Sequence, residues 1–177
     1  MPTTKRVLNW RPDLPDHRDQ VMSSWKPVFM LPKRVDLRPL CSKVEDQGPL
    51  GSCVGNAIAG AIELLDEKNL GTSTDISRLF IYYEARKAIK EIYNDSGAYI
   101  RDGIKALRKV GACREEVWPY VLDKFDDKPS PEAYADALDR KFNSYWRLQS
   151  LSAMLNCLAN GYPFVFGFSV YTHVMDD

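Results

Sequence analysis

The 177-residue chain has only two histidines and four cysteines, no excess of either charge, and no long apolar run. Each shortage removes a class of protein. Cys41, Cys53, Cys113 and Cys157 are too few and too scattered for a disulfide scaffold, and none stands in a C-x-x-C pair. The two histidines do not complete a zinc ligand set, so no metal and no cofactor is expected. Balanced charge, 24 basic residues against 24 acidic, leaves no electrostatic footprint for nucleic acid or an anionic membrane. No stretch approaches the ~20 apolar residues of a membrane span. Residues 1–30 carry charge and proline throughout and lack the apolar centre of a secretory signal. A cytoplasmic protein with reduced cysteines is therefore expected.

The stretch from Asp46 to Glu63 organises the rest. Gly48, Pro49 and Gly51 are turn formers, and Val54 to Ile62 follows without a charge. Such a run reads as a helix buried on all sides, with Cys53 in its first turn. Unpaired amides and the helix dipole favour an anion there. A thiol of ordinary pKa about 8.5 can fall to roughly 3–4 at a helix start beside a cation. Cys53 is thus the candidate nucleophile, against the plainer reading of a small buried residue. Gln47 stands six residues earlier. Its amide and the Cys53 backbone N–H are a candidate pair of oxyanion donors.

These residues resemble the papain-like cysteine peptidases, whose signature is a glutamine, five residues, then the nucleophilic cysteine opening the central helix. Gln47-Gly48-Pro49-Leu50-Gly51-Ser52-Cys53 has that form. Leu31 to Arg38 is similar to the family's mature N-terminus. Gly97-Ala98-Tyr99 and then Trp118-Pro119-Tyr120 resemble the segment lining the substrate cleft, and Leu151 to Phe168 resembles the lead into the second lobe. The resemblance spans residues 31–170. It implies Cys53 and Gln47 as catalytic residues and Gly51, Ser52, Gly97 and Ala98 as substrate-binding ones. It also implies backbone pairing of an extended peptide with the small residues Gly97 and Ala98. The family's usual disulfide partner upstream of the nucleophile is missing, because Leu50 stands there.

Elsewhere the chain reads as follows. Residues 1–30 form an extended leader, with Trp10, Trp25, Phe29 and Met30 as apolar anchors. It is expected either to inhibit by occupying the cleft or to pack behind the domain. Ser77 caps a second helix carrying Ile81, Ala85, Ala88, Ile89 and Ile92. Ile100, Ile104 and Leu107 mark a third, closed by Gly111. Ser130-Pro131-Glu132 starts a fourth, and Leu151, Met154, Leu155 and Leu158 form a fifth, stopped by Gly161. Tyr145 to Leu148 reads as a short strand. Phe164, Phe166, Phe168 and Val170 alternate as a strand with one heavily buried face.

The expected fold is α+β, papain-like, with a helical lobe complete over its long central helix and an incomplete β lobe, all within residues 31–177. The expected function is a cysteine endopeptidase acting on peptide or protein substrates through a Cys53 thioester. The nucleophile needs a histidine oriented by an asparagine. The family carries that histidine about a strand or two past Tyr171, which is beyond Asp177. His17 sits in the leader and His173 where the family has a loop. A missing C-terminal part or a second chain would supply the base. The alternatives are a catalytically silent peptide-binding or assembly module, and a thiol acyltransferase.

Overall fold

A two-residue strand, β1 (Trp10–Arg11), precedes the long helix α1 (Cys53–Leu70) in the computed structural model, which describes residues 8–22, 28 and 30–170. Trp25, Phe29, Tyr171 and His173 lie outside the described residues. α1 starts at the cysteine, as the punctuation ahead of it predicts. Val54, Ile58, Ala59 and Ile62 form its buried stripe. The helix is not enclosed on all sides as expected, because Ala57 is exposed. Alanine and glycine on that outer face carry no charge, yet need no burial either.

Ser77 accepts from the Phe80 amide and caps α2 (Arg78–Ala88). β2 (Ala98–Tyr99) then leads into α3 (Ile100–Val110), whose following residue, Gly111, donates its amide to Leu107. Ser130 caps α4 (Pro131–Ala137) by accepting from Ala133, and α5 (Leu151–Ala159) comes last. α1, α2 and α3 pack around Leu50, Ile58, Ile76, Leu79, Tyr82 and Leu107. Burying each large aliphatic of this set stabilises the fold by about 1.5–3 kcal/mol. The α1–α2 crossing is close because Gly55 faces α2: a Cβ there would lie 2.6 Å from the Arg78 carbonyl oxygen. A second cluster of Phe80, Cys113, Ala133 and Ala137 seats α4, with Tyr134 edge-on to Phe80 at 5.3 Å.

α2 ends at Ala88, one turn short of the expected Ile92. The amides of Ile89 and Glu91 both turn back to the Arg86 carbonyl, and Lys90 takes a left-handed φ of 61°. The fully buried Arg86 then ties the following loop down, donating to the carbonyls of Ile92 (2.5 Å), Asn94 (3.0 Å) and Phe125. This loop carries the chain to β2.

The C-terminal region departs most from expectation. Residues 162–170 form no strand, and Phe166 and Phe168 are 61% and 62% exposed, with rings stacked along one side rather than buried. No neighbouring strand lies against them among the described residues, so the alternation has nothing to be buried by. The expected strand at 145–148 shrinks to one bridge, Arg147 with Val21. Among the described residues no helix is long and apolar enough to cross a membrane.

Candidate active site

The loop entering α1 is held from behind by a chain of hydroxyls. Asn56 Nδ2 donates to Ser52 Oγ (3.0 Å), which lies 2.5 Å from the Tyr120 hydroxyl, and Tyr120 donates to the Gln47 carbonyl (3.0 Å). Gln47 Nε2 donates to the Leu50 carbonyl at 2.9 Å. The side-chain amide is thereby fixed beside the turn that delivers Cys53. Ser52 is fully buried, so its expected substrate contact does not come from its side chain, which is turned into the interior. Tyr120 braces the loop that enters α1.

Asp95 ties this loop to the opposite wall. Both its carboxylate oxygens lie 3.0 Å from the Gly51 amide, and Oδ1 accepts from the Tyr82 hydroxyl at 2.5 Å. The Gly97 amide donates to the same Tyr82 oxygen at 3.1 Å. The Gly51 N–H is therefore committed within the protein and is not a free donor to substrate. Tyr82 is held protonated by its burial and by Asp95. No local pattern marks the link between Asp95 and its partners, which lie 44 and 13 residues away.

The leader crosses the mouth of α1. β1 pairs in parallel with β2, Trp10 opposite Ala98 and Arg11 opposite Tyr99. Gly97, at φ 74°, leaves room for this: a Cβ would lie 1.8 Å from the Asn9 carbonyl oxygen. Trp10 lies on Gly167, where a Cβ would meet its ring at 2.0 Å, and its indole N–H is buried without a partner. Farther along, Arg101 grips Asp19 at 2.6 Å and 2.9 Å, and Arg147 adds a third contact at 2.9 Å. Burial raises the Asp19 carboxyl, but hydrogen bonds from Arg101 and Arg147 outweigh it and hold the group below the usual carboxylate range. Met30, read as an anchor, is 88% exposed.

Cys53 is half-buried under this segment. Burial, the largest influence, pushes its thiol above the ordinary value; the backbone amides of Asn9, Val54, Cys53 and Trp10 pull the other way and do not offset it. The strongly acidic thiol expected from the helix start is thus not present with the arm seated. Burial outweighs the helix end, and none of the leading influences is the cationic side chain that the expectation assumed. Leu8, Val44, Glu45, Asp46, Gln47 and Asn56 line a cavity of about 270 Å³. His17 is exposed on the arm, and no cluster of metal-ligating side chains occurs among the described residues. All four cysteines are unpaired as thiols.

A helix opened by a cysteine, a braced glutamine loop and a facing strand of small residues define the helical lobe of the papain-type fold, with part of a β lobe beside it. No family model matches the chain. An uncharacterized peptidase C1-like protein of Acanthamoeba polyphaga mimivirus is 40% identical over 158 residues, covering 84% of this chain and 50% of its own length. Xylellain, a cysteine protease from Xylella fastidiosa, superposes with a TM-score of 0.79 at 36% identity, over 91% of this chain and 66% of its own. Procathepsin L 3 of Tenebrio molitor larval midgut shares the fold at TM-score 0.61 and 20% identity, over 88% of this chain and 47% of its own. The chain belongs to the papain-like cysteine peptidases. It spans about half the length of the viral relative.

Proposed function

We propose that the protein is a cysteine endopeptidase whose nucleophile is Cys53, and that residues 1–30 act as a tethered blocker of its cleft. The observation that carries this reading is the arm itself. An extended segment already lies along Gly97–Ala98 with its backbone amides directed at the Cys53 sulfur. A surface that accepts one extended chain by backbone pairing is suited to another.

In the proposed reaction the thiolate adds to the scissile carbonyl, and the oxyanion is met by the Cys53 N–H and the Gln47 amide. The C–N bond breaks, the amine leaves with a proton from the histidine, and a thioester forms. Water, deprotonated by the same histidine, then adds to the thioester and releases the acid and the thiolate. The histidine and its asparagine are assigned to sequence after Asp177 or to a second chain, a reading supported by the greater length of the relatives. The rival reading, a silent peptide-binding module, draws on the raised Cys53 thiol. It predicts that this thiol stays protonated even with the arm displaced.

The test is hydrolysis of a fluorogenic peptide by the protein expressed with whatever follows Asp177 in its gene. Cys53→Ala should abolish turnover, and Gln47→Ala should slow it by about 10²–10³, the usual effect of one lost oxyanion donor. Turnover that survives Cys53→Ala would remove the peptidase assignment.

A further inference from the structure

Arg11 of the arm is held in a way that its neighbours do not need for blocking. Its Nη2 lies 3.0 Å from Glu91 Oε2 and its Nη1 3.5 Å from Oε1, so the guanidinium meets the carboxylate with both prongs. Its Cζ stands 5.7 Å from the centre of the Tyr99 ring. A carboxylate and an aromatic face together make a receptor for a planar cation. The receptor is part of the cleft wall: Tyr99 belongs to β2, and Glu91 comes from the loop that Arg86 fastens.

Register turns this contact into a statement about substrates. Successive side chains of an extended chain point to opposite sides. With Trp10 opposite Ala98 on Gly167, Arg11 falls opposite Tyr99 beside Glu91. Any peptide paired with Gly97–Tyr99 presents one side chain to the Gly167 wall and the next to Glu91, whichever way it runs. The Ser96 hydroxyl first and Arg11 second hold the Glu91 carboxyl below the usual carboxylate range.

Resting on the peptide-cleft reading above, we propose that Glu91 and Tyr99 form a subsite selecting an arginine or lysine side chain in the bound substrate, which Arg11 fills in the blocked state. The test uses the whole chain carrying Trp10→Ala and Arg11→Ala, which loosens the arm without removing it. Protection of Cys53 from iodoacetamide is measured with Ac-Ala-Trp-Arg-Ala-NH2, with Ac-Ala-Arg-Trp-Ala-NH2, and with their citrulline counterparts, equal in shape but uncharged. The half-exposed pair sets the expectation: in at least one order the arginine peptide protects at about threefold to tenfold lower concentration. Glu91→Gln should erase that ratio, and Glu91→Lys should favour a glutamate-bearing peptide instead. Equal protection by arginine and citrulline peptides overturns the subsite, as does a ratio that survives Glu91→Gln, or no protection by any peptide. Because hydrolysis is not read, an intact ratio in a protein that never cleaves would refute the peptidase reading alone.

Discussion

Trp10→Ala should uncover Cys53. A tryptophan buries about 150–250 Å² when fully enclosed. Trp10 is half-buried on Gly167 and the main core, so at about 25 cal/mol per Å² its ring contributes roughly 2 kcal/mol to seating the arm. Losing that much shifts the seated-to-open ratio about 30-fold, since each 1.4 kcal/mol is a factor of ten. The thiol should respond twice. It becomes accessible, and the burial that dominates its raised pKa is relieved. The open state also loses the Asn9 and Trp10 amides, which favour thiolate, but the Val54 and Cys53 amides stay with α1. Relief of burial therefore wins, and the thiolate fraction near neutral pH increases. The assay is iodoacetamide labelling with peptide mapping, read as the Cys53 rate over that of the exposed Cys41. The ratio should rise about 30-fold or more at pH 7. An unchanged ratio in a variant that melts like the parent would refute the reasoning.

Three further predictions use other parts of the structure. Asp19→Asn leaves Arg101 and Arg147 without their shared partner; a fully buried pair broken this way loses roughly 3–5 kcal/mol, less here because Arg147 is 37% exposed. The Cys53-to-Cys41 labelling ratio should rise at least tenfold. Because the seated Asp19 carboxyl titrates below its ordinary value, its hold is complete above the unfolded carboxylate pKa and fades only as pH falls below about 4. Labelling across pH 7 to 5 should therefore show no acid-triggered opening beyond that of the thiol's own titration. Tyr120→Phe removes the donor to the Gln47 carbonyl and one of the two partners of the buried Ser52 hydroxyl, so melting should register a loss of about 1–3 kcal/mol and Cys53 acylation should slow. Buried Cys113 is pushed up to about 12 from an ordinary 9.0, so its contribution is intact below pH 9 and declines as pH rises toward 12. At pH 10 this one group costs on the order of 1 kcal/mol, and Cys113→Ala should flatten part of the alkaline fall in melting temperature.

How far the sequence could be read depended on how local each signal was. The glycine and proline punctuation before Cys53 and the caps at Ser77 and Ser130 act within five residues, and the helices begin where those residues say. Gly97 was legible because close backbone approach and a left-handed φ both require glycine. The overrun of α2 past Ala88 came from apolar spacing at Ile89 and Ile92, which carries no information about where amides turn back. The phenylalanine alternation at 164–168 was a real period of two, but burial needs a neighbouring sheet. Long-range links were invisible. Trp10 was recognisable as an apolar anchor, but not its seat beside Ala98; Arg11, Glu91 and Asp95 each acquire a role through partners 44 to 80 residues away. The thiol shift misled for a related reason: the helix end was legible, and the burial that outweighs it was not.

The most direct measurement is acylation by an activated ester, an N-acetyl-phenylalanine p-nitrophenyl ester, on the Trp10→Ala chain. Such a leaving group needs no proton from a general acid, so the step depends on the thiol and the oxyanion donors alone. Rapid acid quenching and mass mapping should find the thioester on Cys53, formed well ahead of any adduct on Cys41, Cys113 or Cys157, and slowed about 10²–10³ by Gln47→Ala. An adduct that prefers Cys41, or a Cys53 rate indifferent to Gln47, would contradict the account.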